Sequence, residues 1–269
     1  MSRCDTAGKM DLNPLGRFSS RAKNYAKYRP SYPAGVIDVL RRDCGLSQDS
    51  KVADIGSGTG LLAKLFLDFG CEVFGVEPNA EMRQGGEACL AGYGRFHSLN
   101  GQAENTGLRP ASMDLVAAGQ AFHWFEPVAA RVEFRRILRR PAWVALIWNE
   151  RRVAGDPFLE GYEELLERYA SEYARVDHRR IDRGQLSAFF EHSDWKTASF
   201  ENDQCFDLDG VRGRLLSSSY APPEGAPGHE ELMQELDRLF TATQQDGKIT
   251  FAYETKMHYG PLDHSPLRS

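Results

Sequence analysis

No stretch of this chain approaches the roughly 18 consecutive apolar residues that a bilayer-spanning helix needs. The opening MSRCDTAGKMD has no apolar run of the kind a secretory leader carries. C-x-x-C pairs are missing, as are H-E-x-x-H, G-x-S-x-G and G-x-x-x-x-G-K-[ST]. Those absences set aside zinc ribbons, zincins, elbow hydrolases and P-loop enzymes. The five cysteines (Cys4, Cys44, Cys71, Cys89 and Cys205) are odd in number and scattered. They suit free thiols and a cytoplasmic location better than a disulfide framework. Positive charge is in deficit: 33 Lys and Arg face 38 Asp and Glu, a formal net charge of -5. That is the wrong balance for a general nucleic-acid binder. No acidic cluster suggests a catalytic metal, so neither a metal, a nucleic acid nor a membrane is expected as partner. One basic run, Arg131, Arg135, Arg136, Arg139 and Arg140, has the spacing of a solvated helix face.

What is present is ordinary for a folded domain: 41% hydrophobic and 26% charged residues over 269 positions. Residues 1–14 read as a flexible tail, and 15–269 as a single domain. Within it, 15–150 form a core for a ligand, and 151–269 supply helical insertions and closing strands. Phe18, Ala22, Tyr25 and Ala26 recur at helical spacing until Pro30 stops the helix. A second helix is expected from Pro33 to Cys44. KVADIG, CEVFGVEP, RFHSLNGQAE, MDLVAAGQAFHWF and AWVALIWNE are short apolar segments that end near polar residues, as strands do. Between them LLAKLFLDF, AEMRQGGEACL and VEFRRILRR read as helices, the second weakened by adjacent glycines. Strands alternating with helices predict an α/β fold, a doubly wound, mostly parallel sheet covered on both faces. Further on, the region 155–193 is expected to be helical, WKTASFEND a strand, GVRGRLLSSSY and EELMQELDRLFTA helices, and TFAYETKMHYG a terminal strand.

The segment VADIGSGTG carries the first functional signal. Gly56, Gly58 and Gly60 let the backbone turn sharply and approach a ligand with no Cβ in the way. A helix follows at once, so its free N–H groups face the same space. This turn also fits the dinucleotide fingerprint, and it does not separate one nucleotide cofactor from another. Asp54 ends the first strand, where it caps the turn or meets a ligand. Glu77 ends the second strand, about 17 residues past Gly60, where a carboxylate can accept both hydroxyls of a ribose. Gln102, Ala103 and Glu104 fall at the end of the third strand, in position to read an adenine edge. Gln120, Ala121, Phe122, His123 and Trp124 fall at the end of the fourth, beside a transferring group. Phe122 and Trp124 suit a core as well as a site, and His123 suits a structural as well as a catalytic role.

Taken together, RFSSRAKNYAKYRPSYP, VADIGSGTGLLA, VFGVEPNAEMR, GQAENTGL and MDLVAAGQAFHWF resemble the class I S-adenosylmethionine-dependent methyltransferases. The likeness is to the small-molecule branch that includes trans-aconitate methyltransferase-like proteins, and LLSSSYAP and GKITFAYETKMHYG extend it to the far end. It implies a seven-stranded Rossmann-like sheet whose last strand is antiparallel, with an amino-terminal helix serving as a lid. It implies S-adenosyl-L-methionine as cofactor. Asp54, Gly56, Ser57, Gly58 and Gly60 would then line its methionine and ribose portion, and Glu77 would bind the ribose hydroxyls. Pro78, Asn79 and Met82 would flank the adenine, Gln102, Ala103 and Glu104 would contact it, and Gln120 and Ala121 would lie beside the methionyl group. Tyr25, Tyr28 and Arg29 belong to the lid. Arg29 is either a surface ion pair or a partner for a carboxylate, and Tyr25, Arg29 and Trp124 are the candidate acceptor-binding residues. The acceptor would be a small molecule, with a carboxylic acid in view, handled by a monomer or homodimer. Where a general base is needed, His123 stands first and Tyr28 second. A nicotinamide-dependent oxidoreductase and a cofactor-binding module without turnover are the alternatives; the absence of Y-x-x-x-K weighs against the oxidoreductase.

Overall fold

In the computed structural model, which describes residues 27–170, 173, 183–191, 194–218 and 220–262, five apolar strands lie parallel. They are β1 (Lys51–Ile55), β2 (Glu72–Val76), β3 (Phe96–Leu99), β4 (Met113–Gly119) and β5 (Leu138–Arg151). A sixth, β6 (Lys196–Glu201), and the antiparallel β9 (Tyr253–Pro261) complete a seven-stranded sheet in the order β3-β2-β1-β4-β5-β9-β6. The last strand thus inserts between β5 and β6. Two short strands, β7 (Gln204–Phe206) and β8 (Ile249–Phe251), pair antiparallel in a separate ribbon.

Successive side chains of a strand point to opposite faces, so strands buried on both sides read as continuous apolar runs. Ala53, Ile55, Val116, Ala118, Val144 and Leu146 face one side. There they meet Phe134 and Ile137 of α4 (Pro127–Ile137) and Phe189 and Phe190 of α6 (Arg183–Phe190). Val52, Leu115, Ala117, Ala145 and Ile147 face the other. They pack on Val36 and Leu40 of α1 (Gly35–Cys44) and Phe66 of α2 (Leu61–Phe69). A third core lies beyond the strand ends. It joins Phe158 and Tyr162 of α5 (Pro157–Tyr169), Val211 of α7 (Leu208–Leu216), Leu232 and Leu236 of α8 (His229–Thr243), and Phe251 of β8. β1 has β2 on one side and β4 on the other, so the chain leaves these strands in opposite directions and opens a crevice at their carboxyl ends.

Several boundaries differ from expectation. Leu138–Arg140, read as the end of a helix, open a 14-residue β5. The segment read as one terminal strand breaks at Ala252 into β8 and β9, because β8 is drawn to Gln204–Phe206, which sequence did not mark as a strand. Helix α1 begins at Gly35, two residues past Pro33. The basic run is only in part a solvated helix face: Arg136 is exposed on α4, Arg131 and Arg135 are half-buried, and Arg139 and Arg140 are exposed on β5. Arg131 and Arg135 meet Glu191, Arg136 meets Glu133, and Arg139, already in β5, meets Asp114 of β4. Most of these carboxylates arrive from other elements, which helical spacing does not reveal.

Helix α3 (Ala80–Cys89) keeps its glycines for a tertiary reason. A Cβ on Gly86 would stand 2.9 Å from the Gly58 carbonyl oxygen, so this position lets the helix lie directly on the glycine turn. Gly86→Ala would gain about 1 kcal/mol of helix propensity. We expect it nonetheless to destabilise the fold by about 1–3 kcal/mol through overpacking, read from urea unfolding. A stabilised variant would show that the contact carries no strain.

Candidate functional site

The turn after β1 is built on three left-handed glycines, with φ of +70° at Gly56, +55° at Gly58 and +84° at Gly60. Such angles favour glycine. Space adds a second reason at two of them. A Cβ at Gly56 would sit 2.6 Å from the Ala121 Cβ, and one at Gly60 would sit 2.5 Å from the Leu90 Cδ1. Gly60 caps α2 with no side-chain hydrogen bond to its amides, so the helix presents open N–H groups toward the crevice.

Two buried acids flank the turn. Glu77, 8% exposed, accepts the Gly58 N–H at 2.9 Å through Oε2 and the Asn79 N–H at 2.8 Å through Oε1. Burial pushes its pKa up, against the pull of those amides and of Arg83. Each oxygen keeps a further lone pair for a hydroxyl donor. Asn79 caps α3 by accepting the Met82 N–H at 3.0 Å. Arg83, which the sequence did not single out, donates to the carbonyls of Glu77 and Pro78 at 2.9 and 3.4 Å and steadies that turn. Asp54 is 1% exposed, and neither carboxylate oxygen has a hydrogen-bond partner. Burial pushes its pKa up to about 7, with a weaker opposing pull from the Ala63 backbone and a further push from Glu77. A buried acid left without partners is costly unless a ligand supplies them.

The loops after β3 and β4 close the crevice. Gln102 and Asn105 exchange backbone hydrogen bonds of 3.1 Å, with Ala103 buried between them and Gln102 exposed. Glu104 turns to α4, where its Oε1 accepts the Glu126 N–H at 2.7 Å. Gln120 holds a left-handed backbone, φ +58°, and donates its Nε2–H to the Asn149 carbonyl at 3.0 Å. A strained non-glycine residue at a strand end is a common mark of a functional site. Ala121 is buried against Gly56. Phe122 belongs to the core, edge-on to Trp148 and Phe189, whereas His123 and Trp124 are half-buried neighbours with ring centroids 4.7 Å apart.

Of the expected lid, Tyr25 lies outside the described residues. Tyr28 packs its ring on Gly213 of α7 and edge-on to Phe206, and Arg29 donates to the Ser217 carbonyl and the Ser218 hydroxyl, both at 3.3 Å. The segment then crosses the ends of β4 and β5. Asn149 donates to the carbonyls of Pro30 and Ser31, Asn202 donates to that of Ser31, and Tyr32 lies against Gly119. The buried Asn149 and Thr255 and the half-buried Asn202 form a hydrogen-bonded set that sequence reasoning missed, since the three stand far apart along the chain. Among the described residues no cluster of His, Cys, Asp and Glu could hold a metal ion, and no helix is long and apolar enough to cross a membrane.

Comparison with known proteins follows the same outline. Residues 53–146 match the model of a family described as a methyltransferase domain. An uncharacterized methyltransferase of Schizosaccharomyces pombe is 30% identical over 227 residues, which cover 84% of this chain and 88% of that protein. One from Mycobacterium tuberculosis is 36% identical over 134 residues, and the match spans about half of that relative, 52%. Among solved structures, a candidate type II methyltransferase of Anaeromyxobacter dehalogenans superposes with a TM-score of 0.64 at 22% identity, covering 88% of this chain and all of that one. A phosphoethanolamine N-methyltransferase of Haemonchus contortus, solved with S-adenosylhomocysteine, gives 0.55 at 13% identity, covering 91% of this chain and 58% of that one. At such identities the structures speak to the fold alone.

The buried Asp54 has a consequence for stability. Its folded pKa lies above the unfolded value, so its contribution favours the folded chain at acid pH and is lost as pH rises through about 7. Ligand-free Asp54→Asn should therefore gain on the wild type as pH rises from 5 to 8, opening a gap of several degrees in thermal melts. A gap independent of pH would overturn the assignment.

Proposed function

The chain belongs to the methyltransferase family, and from that membership we propose that it transfers a methyl group from S-adenosyl-L-methionine to a small-molecule acceptor, an organic acid. The observation that carries this reading is the unpartnered, buried carboxylate of Asp54 beside the left-handed glycine turn. An acid at that turn suits a cofactor whose ammonium and sulfonium bring positive charge better than a dinucleotide, whose anionic pyrophosphate would meet the same turn. Asp54, Gly56, Ser57, Gly58 and Gly60 would hold the methionine and ribose portion. Glu77 would take the ribose hydroxyls with its remaining lone pairs. Pro78, Asn79 and Met82 would flank the adenine, with Gln102, Ala103 and Glu104 on its edge. Gln120 and Ala121 would stand beside the methionyl group. Bound there, the cofactor supplies a methyl group already activated on a sulfonium.

The protein's own task is then to orient and to exclude water. Correct alignment of nucleophile, methyl carbon and leaving sulfur supplies about 7–11 kcal/mol. The segment 29–32, tied down by Asn149 and Asn202, covers the strand ends on the acceptor side. Arg29 stands at that edge on Ser217 and Ser218, and with Tyr25 and Trp124 it would meet the acid. A carboxylate acceptor brings its own electron pair and needs no base. An acceptor that must shed a proton would use His123, with Tyr28 less suited because its ring is taken up against α7.

Isothermal titration is expected to show binding of S-adenosylhomocysteine and none of nicotinamide cofactors. Glu77→Ala should weaken that binding by about 10- to 100-fold, the worth of a hydrogen bond to a charged group. Label from methyl-labelled cofactor should appear in a panel of small organic acids. No homocysteine-cofactor binding, or no label transfer to any small molecule, would refute the reading. His123→Ala separates the two acceptor types: turnover is kept for a carboxylate oxygen, and falls by about 10²-fold or more where a proton must leave.

A further inference from the structure

Behind the segment 29–32 lies a cluster that the methyl-transfer chemistry above does not use. Arg214 of α7 is 4% exposed, and its partners are the Tyr253 hydroxyl at 2.7 Å and the Ser218 and Ser217 hydroxyls at 3.2 and 3.5 Å. Among the described residues no carboxylate meets it. Arg151, at the end of β5, lies opposite Tyr253 in the strand register. Its guanidinium sits 4.9 Å from the centre of the Tyr162 ring and bonds Glu163 through Nη2, while its buried Nη1 has no partner. Tyr162 is 1% exposed, and its hydroxyl also has no partner. Arg29 reaches the same Ser218 hydroxyl that Arg214 uses.

Tyr220 shows that these groups share one space. Burial works to raise its phenol, yet Arg214, Arg29, the Ser218 hydroxyl and Arg151 together hold it below its ordinary value. A buried guanidinium satisfied only by neutral hydroxyls, beside an unmet guanidinium N–H and an unmet phenol, is an incomplete anion site. The planar fork of arginine matches a carboxylate. The cluster also borders the cofactor crevice. Gln120 bonds the Asn149 carbonyl, and Arg151 follows two residues later on the same strand.

We propose that Arg214, Arg151 and Tyr162 form the acceptor's anchoring site: they grip one carboxylate of an organic acid while a second group of the same molecule faces the methyl donor. The proposal rests on the methyltransferase reading and adds to it the group that is recognised. A carboxylate gripped by two arginines is a poor nucleophile, so the group that takes the methyl must be a different one. The acceptor is therefore an acid with two functional ends.

The test uses the full chain loaded with S-adenosylhomocysteine, with succinate, its neutral diamide and inorganic phosphate as probes. Thermal shift and calorimetry are expected to show binding of succinate and none of the diamide. Tyr162→Phe loses a hydroxyl that bonds nothing, so without probe it should melt at or above the wild-type temperature. The same variant should bind succinate about ten-fold more weakly and S-adenosylhomocysteine as before. Arg151→Lys should weaken succinate as well. Equal response to succinate and the diamide would overturn the proposal, as would unchanged succinate affinity in Tyr162→Phe and Arg151→Lys. Binding of phosphate in preference to succinate would overturn the carboxylate assignment. Loss of S-adenosylhomocysteine binding in the wild type would instead overturn the reading beneath it.

Discussion

Glu77 accepts backbone N–H groups from Gly58 and Asn79, and with those two hydrogen bonds one buried carboxylate ties the turn after β1 to the turn after β2. Much of the surrounding construction protects that junction. Gly56 and Ser57 both donate to the Val76 carbonyl, so the glycine turn is bonded to the strand that Glu77 terminates. Gly86 brings α3 onto the turn with no side chain between them, and Ala121 fills the space that glycine leaves at position 56. The apolar sheet beneath supplies the low dielectric that raises Asp54 and Glu77, and raised acids are ready to gain from a positively charged guest.

A second constraint acts at the far side of the crevice. The chain before α1 must cross the ends of β4 and β5, and its carbonyls there need donors. Asn149 and Asn202 provide them, held in turn by Thr255 of β9. The antiparallel β9 is thus more than a closing strand. It sets one member of the set that anchors the covering segment, and its first residue, Tyr253, carries the hydroxyl that orients Arg214. Beyond that segment lies the third core, formed by α5, α7, α8 and β8. Its interior is apolar at Phe158, Leu232 and Phe251, and Tyr162 and Tyr253 bring hydroxyls into it.

The central parallel strands β1, β4 and β5 were legible because both their faces are buried, and residues such as Val52 and Ala53 or Val116 and Ala117 must all be apolar whichever way they point. Asp54, Glu77 and Gln120 were legible because strand ends are where such sheets expose polar groups. Boundaries set by distant partners were not. Ala252 does not look like a break between two strands, and only the pull of Gln204–Phe206 makes it one. Arg131, Arg135 and Arg139 look like a solvated face until Glu191 and Asp114 arrive from elsewhere. Glycines within α3 look like weak helix, since the reason for Gly86 lies about 28 residues earlier, at Gly58.

By itself the sequence determined the fold class, the glycine turn and the acids beside it, because strand periodicity, left-handed glycines and strand-end carboxylates are local properties. Tertiary structure alone decided that Asp54 is buried without a partner and that Glu77 is shared between two turns. It also decided that Arg151 and Arg214, more than 60 positions apart in the sequence, meet around one group of tyrosines. Burial and charge pairing depend on which distant segments pack together, and spacing along a chain carries no record of that.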